Sequence, residues 1–255
     1  MISLLVKTKN AVFDILFPPI CLNCQKYLNQ PVSPEIQRDK PNNFLCDDCY
    51  LSIQLNSSLF CPVCKLRLAE NKKICGHSKY LLAAAGNYND QIFRNIIHYF
   101  KYESFENLTS ILAEIIFKYL DFLMENGKFK IGKSKFGIKN FIVVPIPLHY
   151  RRERQRGFNQ SKLLADEISK KFNIQVVECL KRIKNNDPQA KLKSNNEREK
   201  NISGCFKIIN PEMIKNKNIL LVDDVFTSGA TINEAVKILK ENSARRIIAI
   251  VVAKA

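Results

Sequence analysis

Two adjacent carboxylates and a hydroxyl-rich turn stand close together in ILLVDDVFTSGAT, residues 219–231. Asp223 and Asp224 directly follow a run of aliphatic residues. The turn after them consists of Thr227, Ser228, Gly229, Ala230 and Thr231. N–H groups at the start of a helix bind phosphate, and carboxylates accept hydrogen bonds from sugar hydroxyls. The spacing therefore predicts a sugar-phosphate site, and the alternative is a pair of aspartates that only cap the following helix.

A second set of candidate functional residues is a group of cysteines near the N-terminus. Seven of the nine cysteines lie between residues 21 and 75, and six of these form three C-x2-C pairs. Such a pair turns two thiolates toward one ion and is half of a tetrahedral zinc site. In sequence order the two ligand sets are Cys21, Cys24, Cys46 and Cys49, then Cys61, Cys64, Cys75 and His77. The pattern predicts one or two structural Zn2+ ions, because four protein ligands leave no open position.

The sequence leaves two features of these metal sites open. The cysteine pairs could interleave, because spacing does not fix which pairs share an ion. His77 could equally be an exposed loop residue, because it belongs to a C-x-H rather than a C-x2-C pair.

A third candidate is the arginine cluster that follows the apolar segment FIVVPIP, residues 141–147. The cluster contains Arg151, Arg152, Arg154 and Arg156. Guanidinium groups bind phosphate oxygens through paired N–H donors, so the cluster suits a diphosphate or a nucleic-acid backbone. The alternative is a solvated basic helix start.

Strands and helices alternate from residue 80 onward and would position these groups. Apolar runs predict strands at 80–88, 141–147, 174–180, 218–225 and 246–255. Amphipathic segments predict helices at 90–102, 106–126, 157–172 and 229–242. This alternation is typical of an α/β fold with a doubly wound, mostly parallel sheet, whose ligands bind beyond the carboxyl ends of the strands. The predicted domains are 1–79, with an amphipathic helix and a double zinc-finger region, and 80–255.

Composition limits the classes of partner and compartment. The chain has 255 residues and 40 Lys and Arg against 24 Asp and Glu, a net charge of +16 that favours nucleic acid or phosphorylated small molecules. Simple solubility is the alternative explanation of this charge. Residues 1–17 form an interrupted apolar pattern rather than a signal peptide, and no apolar run reaches about 18 residues, so we expect no membrane insertion. A cytoplasmic location follows, where metal binding explains clustered cysteines better than disulfides do.

One motif is misleading. GKFKIGKS, residues 127–134, fits the P-loop expression G-x-x-x-x-G-K-S. A P-loop lies between a strand and a helix, whereas here a predicted helix precedes and a predicted strand follows. We therefore do not expect nucleoside triphosphate hydrolysis at this segment.

The chain resembles the type I phosphoribosyltransferases at residues 219–231, and nearly its whole length resembles the ComF (GntX-like) family of natural competence. The motifs that carry the second resemblance are CLNC at 21–24, VVPIPLHYRRERQRGFNQS at 143–161 and RIKNNDPQAKLKSNNEREKNISGCF at 182–206. Asn186 departs from the family pattern, in which threonine is usual at this position.

The resemblance implies a binding site for 5-phosphoribosyl diphosphate. Asp223 and Asp224 would bind the ribose hydroxyls, and residues 227–231 would bind the 5′-phosphate. The diphosphate would lie near Pro145, Ile146 and Pro147, neutralised by Arg152 or Arg156 and accompanied by Mg2+. A mobile loop would contain Arg182, Gln189 and Arg198.

Two functions from different classes are compatible with this site. As an enzyme, the protein would displace diphosphate from ribose C1 with a nitrogen nucleophile, mostly by positioning and charge neutralisation; neither His98 nor His149 is an obvious base. As a non-enzymatic adaptor of DNA uptake, it would bind single-stranded DNA and work with a competence helicase. The aromatic segment HYFKYESF, residues 98–105, could stack bases or belong to the helix core. A zinc-ribbon transcription regulator is disfavoured, because no recognition helix precedes residue 80.

Overall fold

The computed structural model describes residues 19–28, 44–68, 75–76, 78–103, 105–127, 138–186 and 194–255. The predicted N-terminal amphipathic helix lies outside these residues. The helices and strands, in chain order, are α1 (Asp47–Leu51), β1 (Leu81–Asn87), α2 (Gln91–Tyr102), α3 (Thr109–Glu125), β2 (Phe141–Pro145), α4 (Tyr150–Arg156), α5 (Gln160–Phe172), β3 (Leu180–Arg182), α6 (Asn195–Ile202), β4 (Phe206–Ile208), β5 (Asn218–Phe226), α7 (Ala230–Glu241) and β6 (Arg246–Lys254). None of the described helices is both long and apolar enough to span a bilayer.

The central sheet has four parallel strands in the order β1-β6-β5-β2. Successive side chains of a strand point to opposite faces, and both faces of this sheet are covered. Leu220 and Val222 of β5 pack with the helices α2, α3 and α5, whereas Ile219 and Leu221 pack with α7. Strands covered on both sides read as continuous apolar runs. The predicted doubly wound, parallel sheet is confirmed.

Helix ends follow local side-chain chemistry. Asp90 accepts a hydrogen bond from the backbone N–H of Ile92 at 2.8 Å and caps α2. Helix α3 ends before Asn126 and Gly127, and the positive φ of 63° at Gly127 suits glycine. A P-loop would need a strand before residues 127–134, and the structure has helix α3 there, as the sequence predicted.

Two sequence predictions in the segment 174–206 need correction. The predicted strand at 174–180 joins the central sheet only through a single parallel bridge between Val143 and Val176, and β3 instead pairs antiparallel with β4 in a separate two-stranded sheet. The segment expected to be a mobile loop, with Arg182, Gln189 and Arg198, contains helix α6. Ser194 and Glu197 form a capping box, which satisfies N–H groups at the start of the helix.

The cysteine-containing segments pack on the α/β part. Phe60 forms an antiparallel bridge with Leu82 of β1, and the Tyr119 hydroxyl of α3 donates to the carbonyl of Ser58 at 2.7 Å. Cys21 and Cys49 are buried in the same core as the helices α2 and α3. The domain boundary near residue 80 stays a prediction.

Candidate ligand-binding site and cysteine clusters

The hydroxyl-rich turn after β5 leads directly into the N-terminus of α7. Gly229 caps α7 with a φ of 82°, and a Cβ added there would lie 2.6 Å from the Phe226 ring. Glycine is therefore required by both conformation and space. Residues 227–231 line a cavity of about 370 Å3. The N-terminus of α7, which is the positive end of the helix dipole, lies at this cavity.

The two aspartates lie in the same cavity with different partners. Asp223 accepts hydrogen bonds at Oδ1 from the Ser161 hydroxyl at 2.9 Å and from the backbone N–H of Asp224 at 3.0 Å. Asp224 forms an ion pair with Lys101, with 2.8 Å between Oδ1 and Nζ. Burial and then repulsion from Asp224 raise the pKa of Asp223 to about 7. Asp223 is thus the carboxylate of the pair without a basic side chain bonded to it among the described residues.

Lys101 was not predicted as a site residue. Burial opposes its charge, yet attraction to Asp224 prevails and raises the lysine pKa. The sequence places Lys101 in an amphipathic helix. No local pattern shows that its side chain reaches Asp224, because only the fold brings α2 to the end of β5. Ser161, which was also missed, reaches Asp223 from the first turn of α5.

The arginine cluster forms helix α4, which approaches the cavity with one side. Arg152 and Arg156 line the cavity, as does Ile146. Arg152 donates to the carbonyl of Asn186, and Arg156 donates to the Gln160 side-chain oxygen at 3.1 Å. The predicted residues Pro145 and Pro147 are not among those that line the cavity.

The predicted mobile-loop residues divide into three groups. Arg182 is the last residue of β3 and is buried, so it belongs to the sheet rather than to the predicted loop. Arg198 lies on α6 and also lines the cavity. Gln189 lies outside the described residues. Arg182, Arg198 and the two α4 arginines thus face one cavity, which makes its wall strongly basic.

The cysteine sulfurs gather in sequence order and not in interleaved pairs. One group is Cys21, Cys24, Cys46 and Cys49, and the other is Cys61, Cys64 and Cys75, with all ligand atoms of a group within 4.8 Å of one another. The sulfurs of Cys24 and Cys46 are 3.6 Å apart, close to the roughly 3.8 Å expected for two thiolates at about 2.3 Å from a tetrahedral zinc. Both groups could hold zinc. His77, the predicted fourth ligand of the second group, lies outside the described residues.

Each group begins with a similar turn around a thiol. Burial raises the pKa of the Cys21 thiol, but backbone hydrogen bonds, with that of Cys24 the strongest, outweigh it and lower the pKa to about 6. Burial also raises the pKa of the Cys61 thiol, but backbone hydrogen bonds, with that of Cys64 the strongest, outweigh it and lower the pKa to about 7. Within the same groups, burial raises the pKa of Cys49 to about 12, and hydrogen bonding with Cys64 raises the pKa of Cys75 to about 11.

The second cysteine group is connected to the cavity. Lys65, which directly follows Cys64, donates from Nζ to the backbone carbonyl of Thr227 at 2.9 Å. The sequence predicted both the cysteine pair and the turn that contains Thr227, but it did not predict that they touch.

The profile of the phosphoribosyl transferase domain matches residues 159–255, which include the acidic pair and the turn before α7. Competence protein ComFC of Bacillus subtilis (strain 168) is 23% identical over 245 residues, covering 87% of this chain and 89% of the relative. Competence protein F of Haemophilus influenzae is 26% identical over 207 residues, covering 78% and 85%. DNA utilization protein YhgH of Escherichia coli (strain K12) is 24% identical over 210 residues, covering 80% and 87%. The chain thus contains a phosphoribosyl transferase domain, and most of its length is similar to proteins named for competence and DNA utilization.

Proposed function

We propose that this protein binds 5-phosphoribosyl diphosphate at the carboxyl end of β5 and serves DNA uptake or use through this site. The observation that carries the proposal is the single cavity that contains an acidic pair, a helix N-terminus and a basic wall. The ribose hydroxyls would donate to Asp223 and Asp224, and the turn at residues 227–231 would hold the 5′-phosphate. Arg152 and Arg156 would neutralise the diphosphate.

Magnesium would accompany the ligand. It prefers oxygen ligands and keeps several waters, so phosphate oxygens of the ligand would supply most of its coordination. Asp223 is the better protein donor, because Asp224 is already paired with Lys101. The ion would offset the charge of the diphosphate leaving group.

The chemical step compatible with this arrangement is transfer of the phosphoribosyl group. The bond between ribose C1 and the diphosphate oxygen breaks, and a nitrogen nucleophile forms a bond to C1. The residues of the cavity would position the sugar and neutralise the departing diphosphate, which retains the bonding electrons.

A DNA-binding adaptor is the second candidate. Arg151 and Arg154 are exposed on α4 and do not line the cavity, so they are available to a phosphate backbone. The relatives are named for competence and DNA utilization. Single-strand binding that falls with salt, at a slope of about −0.7 in log affinity per neutralised phosphate, would support this role. Diphosphate release in the presence of a nitrogen acceptor would instead support the enzyme.

The proposed site is tested by titrating 5-phosphoribosyl diphosphate and Mg2+ into the wild type and into Gly229→Ala. We expect the variant to lose about tenfold or more in affinity, because the shifted turn misdirects charge-assisted hydrogen bonds to the 5′-phosphate. Gly157→Ala is the matched control, since Gly157 also has a positive φ, 86°, but no atom within 4 Å of an added Cβ. Equal affinity in all three proteins would place the ligand elsewhere.

A further inference from the structure

Two buried side chains of the cavity have donors that the protein leaves unused. Arg182 is 7% exposed, and among the described residues its Nε and Nη2 have no hydrogen-bond partner. Gln160 is 1% exposed, and its Nε2 likewise has none within the same part of the chain. Both side chains line the cavity with Asp223 and Asp224. Buried donors without partners are uncommon in folded proteins and call for a physical explanation.

The arginine lies on the strand pair β3–β4 and is buried despite the cost of burying its charge. Burial lowers the pKa of Arg182, which shows that its surroundings disfavour the charge. Its Cα pairs with that of Phe206 across β3 and β4, and its guanidinium carbon lies 5.9 Å from the Phe206 ring centroid. A ring face offsets part of the lost hydration but accepts no hydrogen bond of ordinary strength. The described protein therefore supplies a fixed cation without a full counter-charge.

The amide of Gln160 is oriented by its neighbour. Arg156 donates from Nη1 to the Gln160 oxygen, which leaves the amide NH2 group as the unsatisfied end. Arg182 and Gln160 line the same cavity as Asp223 and the α4 residue Arg156, and Asp223 attracts the Arg182 guanidinium. A group linked to ribose C1 would face this cavity if the ribose were bound by Asp223.

We propose that Arg182 and Gln160 form the buried part of the diphosphate site and make the cavity selective for a ligand with a C1 diphosphate over one with a free C1 hydroxyl. The inference rests on the proposed function, because it takes the ribose position from it. Arg182 is then a specificity-determining residue on a fixed strand. Arg152 and Arg156 contribute charge from the more exposed side.

The test compares three probes in calorimetric titrations: 5-phosphoribosyl diphosphate with Mg2+, ribose 5-phosphate, and inorganic diphosphate with Mg2+. We expect Arg182→Met to weaken binding of the first and third probes by about tenfold to a hundredfold, as expected for hydrogen bonds to a charged group. Affinity for ribose 5-phosphate should stay within about twofold of the wild type, because that ligand carries no group at C1. Arg154→Met is the control, since Arg154 is exposed and outside the cavity.

Unfolding temperature separates a binding role from a structural one. Replacing a buried, incompletely paired charge with an apolar side chain of similar length is often neutral or stabilising. Unliganded Arg182→Met should therefore melt no lower than the wild type while losing the thermal shift that 5-phosphoribosyl diphosphate produces. Arg182→Gln, which keeps a polar side chain, is the second variant and should show the same loss of selectivity.

Three results would overturn the inference: unchanged selectivity in both Arg182 variants, equal loss of all three ligands, or a wild type that does not bind inorganic diphosphate. A wild type that binds inorganic diphosphate through Arg182 but does not bind 5-phosphoribosyl diphosphate would uphold the anion site and refute the proposed function.

Discussion

Two cysteine turns of this protein, residues 20–27 and 60–67, have the same backbone structure and different neighbours. In each, the residue after the C-x2-C pair donates its backbone N–H to the carbonyl of the first cysteine, at 2.9 Å from Gln25 and 2.8 Å from Lys65. Gln25 and Lys65 both have positive φ angles, 61° and 57°. Lys65 reaches the carbonyl of Thr227 beside the ligand cavity. A shared motif therefore predicts a shared metal chemistry but not a shared role.

The first cysteine group is attached to helices. Asn95 of α2 donates to the side-chain oxygen of Asn23 at 3.2 Å, and the Tyr50 hydroxyl donates to Glu114 of α3 at 2.6 Å. The second group lies against β1 through the bridge between Phe60 and Leu82. We infer that the first group mainly stabilises the fold, whereas the second also supports the turn that would bind the 5′-phosphate.

The largest expected effect is the loss of the first metal site. Cys24→Ser combined with Cys46→Ser should remove one zinc per chain and lower the unfolding temperature strongly, because structural zinc can contribute about 10 to 16 kcal/mol to folding. The affinity of the remaining folded protein for 5-phosphoribosyl diphosphate should change little. Metal analysis and calorimetric unfolding measure the effect, and a metal-free wild type of full stability would contradict it.

Loss of the second metal site should instead affect ligand binding. Cys61→Ser combined with Cys64→Ser should also remove zinc, but it should weaken binding of 5-phosphoribosyl diphosphate by about tenfold, since a loosened Lys65 no longer holds the turn that makes charge-assisted bonds to phosphate. Titration at a temperature below the unfolding transition measures this change. If the two double variants bind the ligand equally well, the second cysteine group does not support the ligand site more than the first does.

A smaller effect should follow from changing the connecting residue alone. Lys65→Met removes one hydrogen bond to the Thr227 carbonyl and should weaken ligand binding by about threefold to tenfold, in line with a net 0.5 to 1.5 kcal/mol per bond. Gln25→Met is the matched control at the corresponding position of the first turn. Both variants should retain their zinc, and equal ligand affinity in the two would show that Lys65 does not support the site.

The parts of the site that are contiguous in sequence were predictable. The acidic pair, the turn at 227–231 and the arginine helix each consist of neighbouring residues, and a parallel sheet brings their strand ends to one edge. The cysteine grouping also followed sequence order. These patterns are local, so no knowledge of packing was needed.

The parts that depend on tertiary packing were missed. Lys101 and Ser161 meet the aspartates only because α2 and α5 cover the same face of the sheet. Arg182 was assigned to a loop, since a three-residue strand that pairs outside the main sheet leaves no readable apolar pattern. The contact between Lys65 and Thr227 joins residues far apart in sequence. Such pairings follow from the whole fold rather than from any segment.

The most direct test of the central claim, that β5 ends at a phosphoribosyl site, is the affinity of Asp223→Asn for 5-phosphoribosyl diphosphate with Mg2+. Asparagine keeps an oxygen for the Ser161 hydroxyl and leaves the pair between Asp224 and Lys101 intact, so the fold should be preserved. We expect calorimetry above pH 7, where Asp223 is mostly ionised, to show a loss of about tenfold or more, because a charged acceptor for the ribose hydroxyls becomes neutral. Asp121→Asn on α3, where the carboxylate lies 3.8 Å from Lys171, should bind as the wild type does. Wild-type affinity in Asp223→Asn would contradict the account.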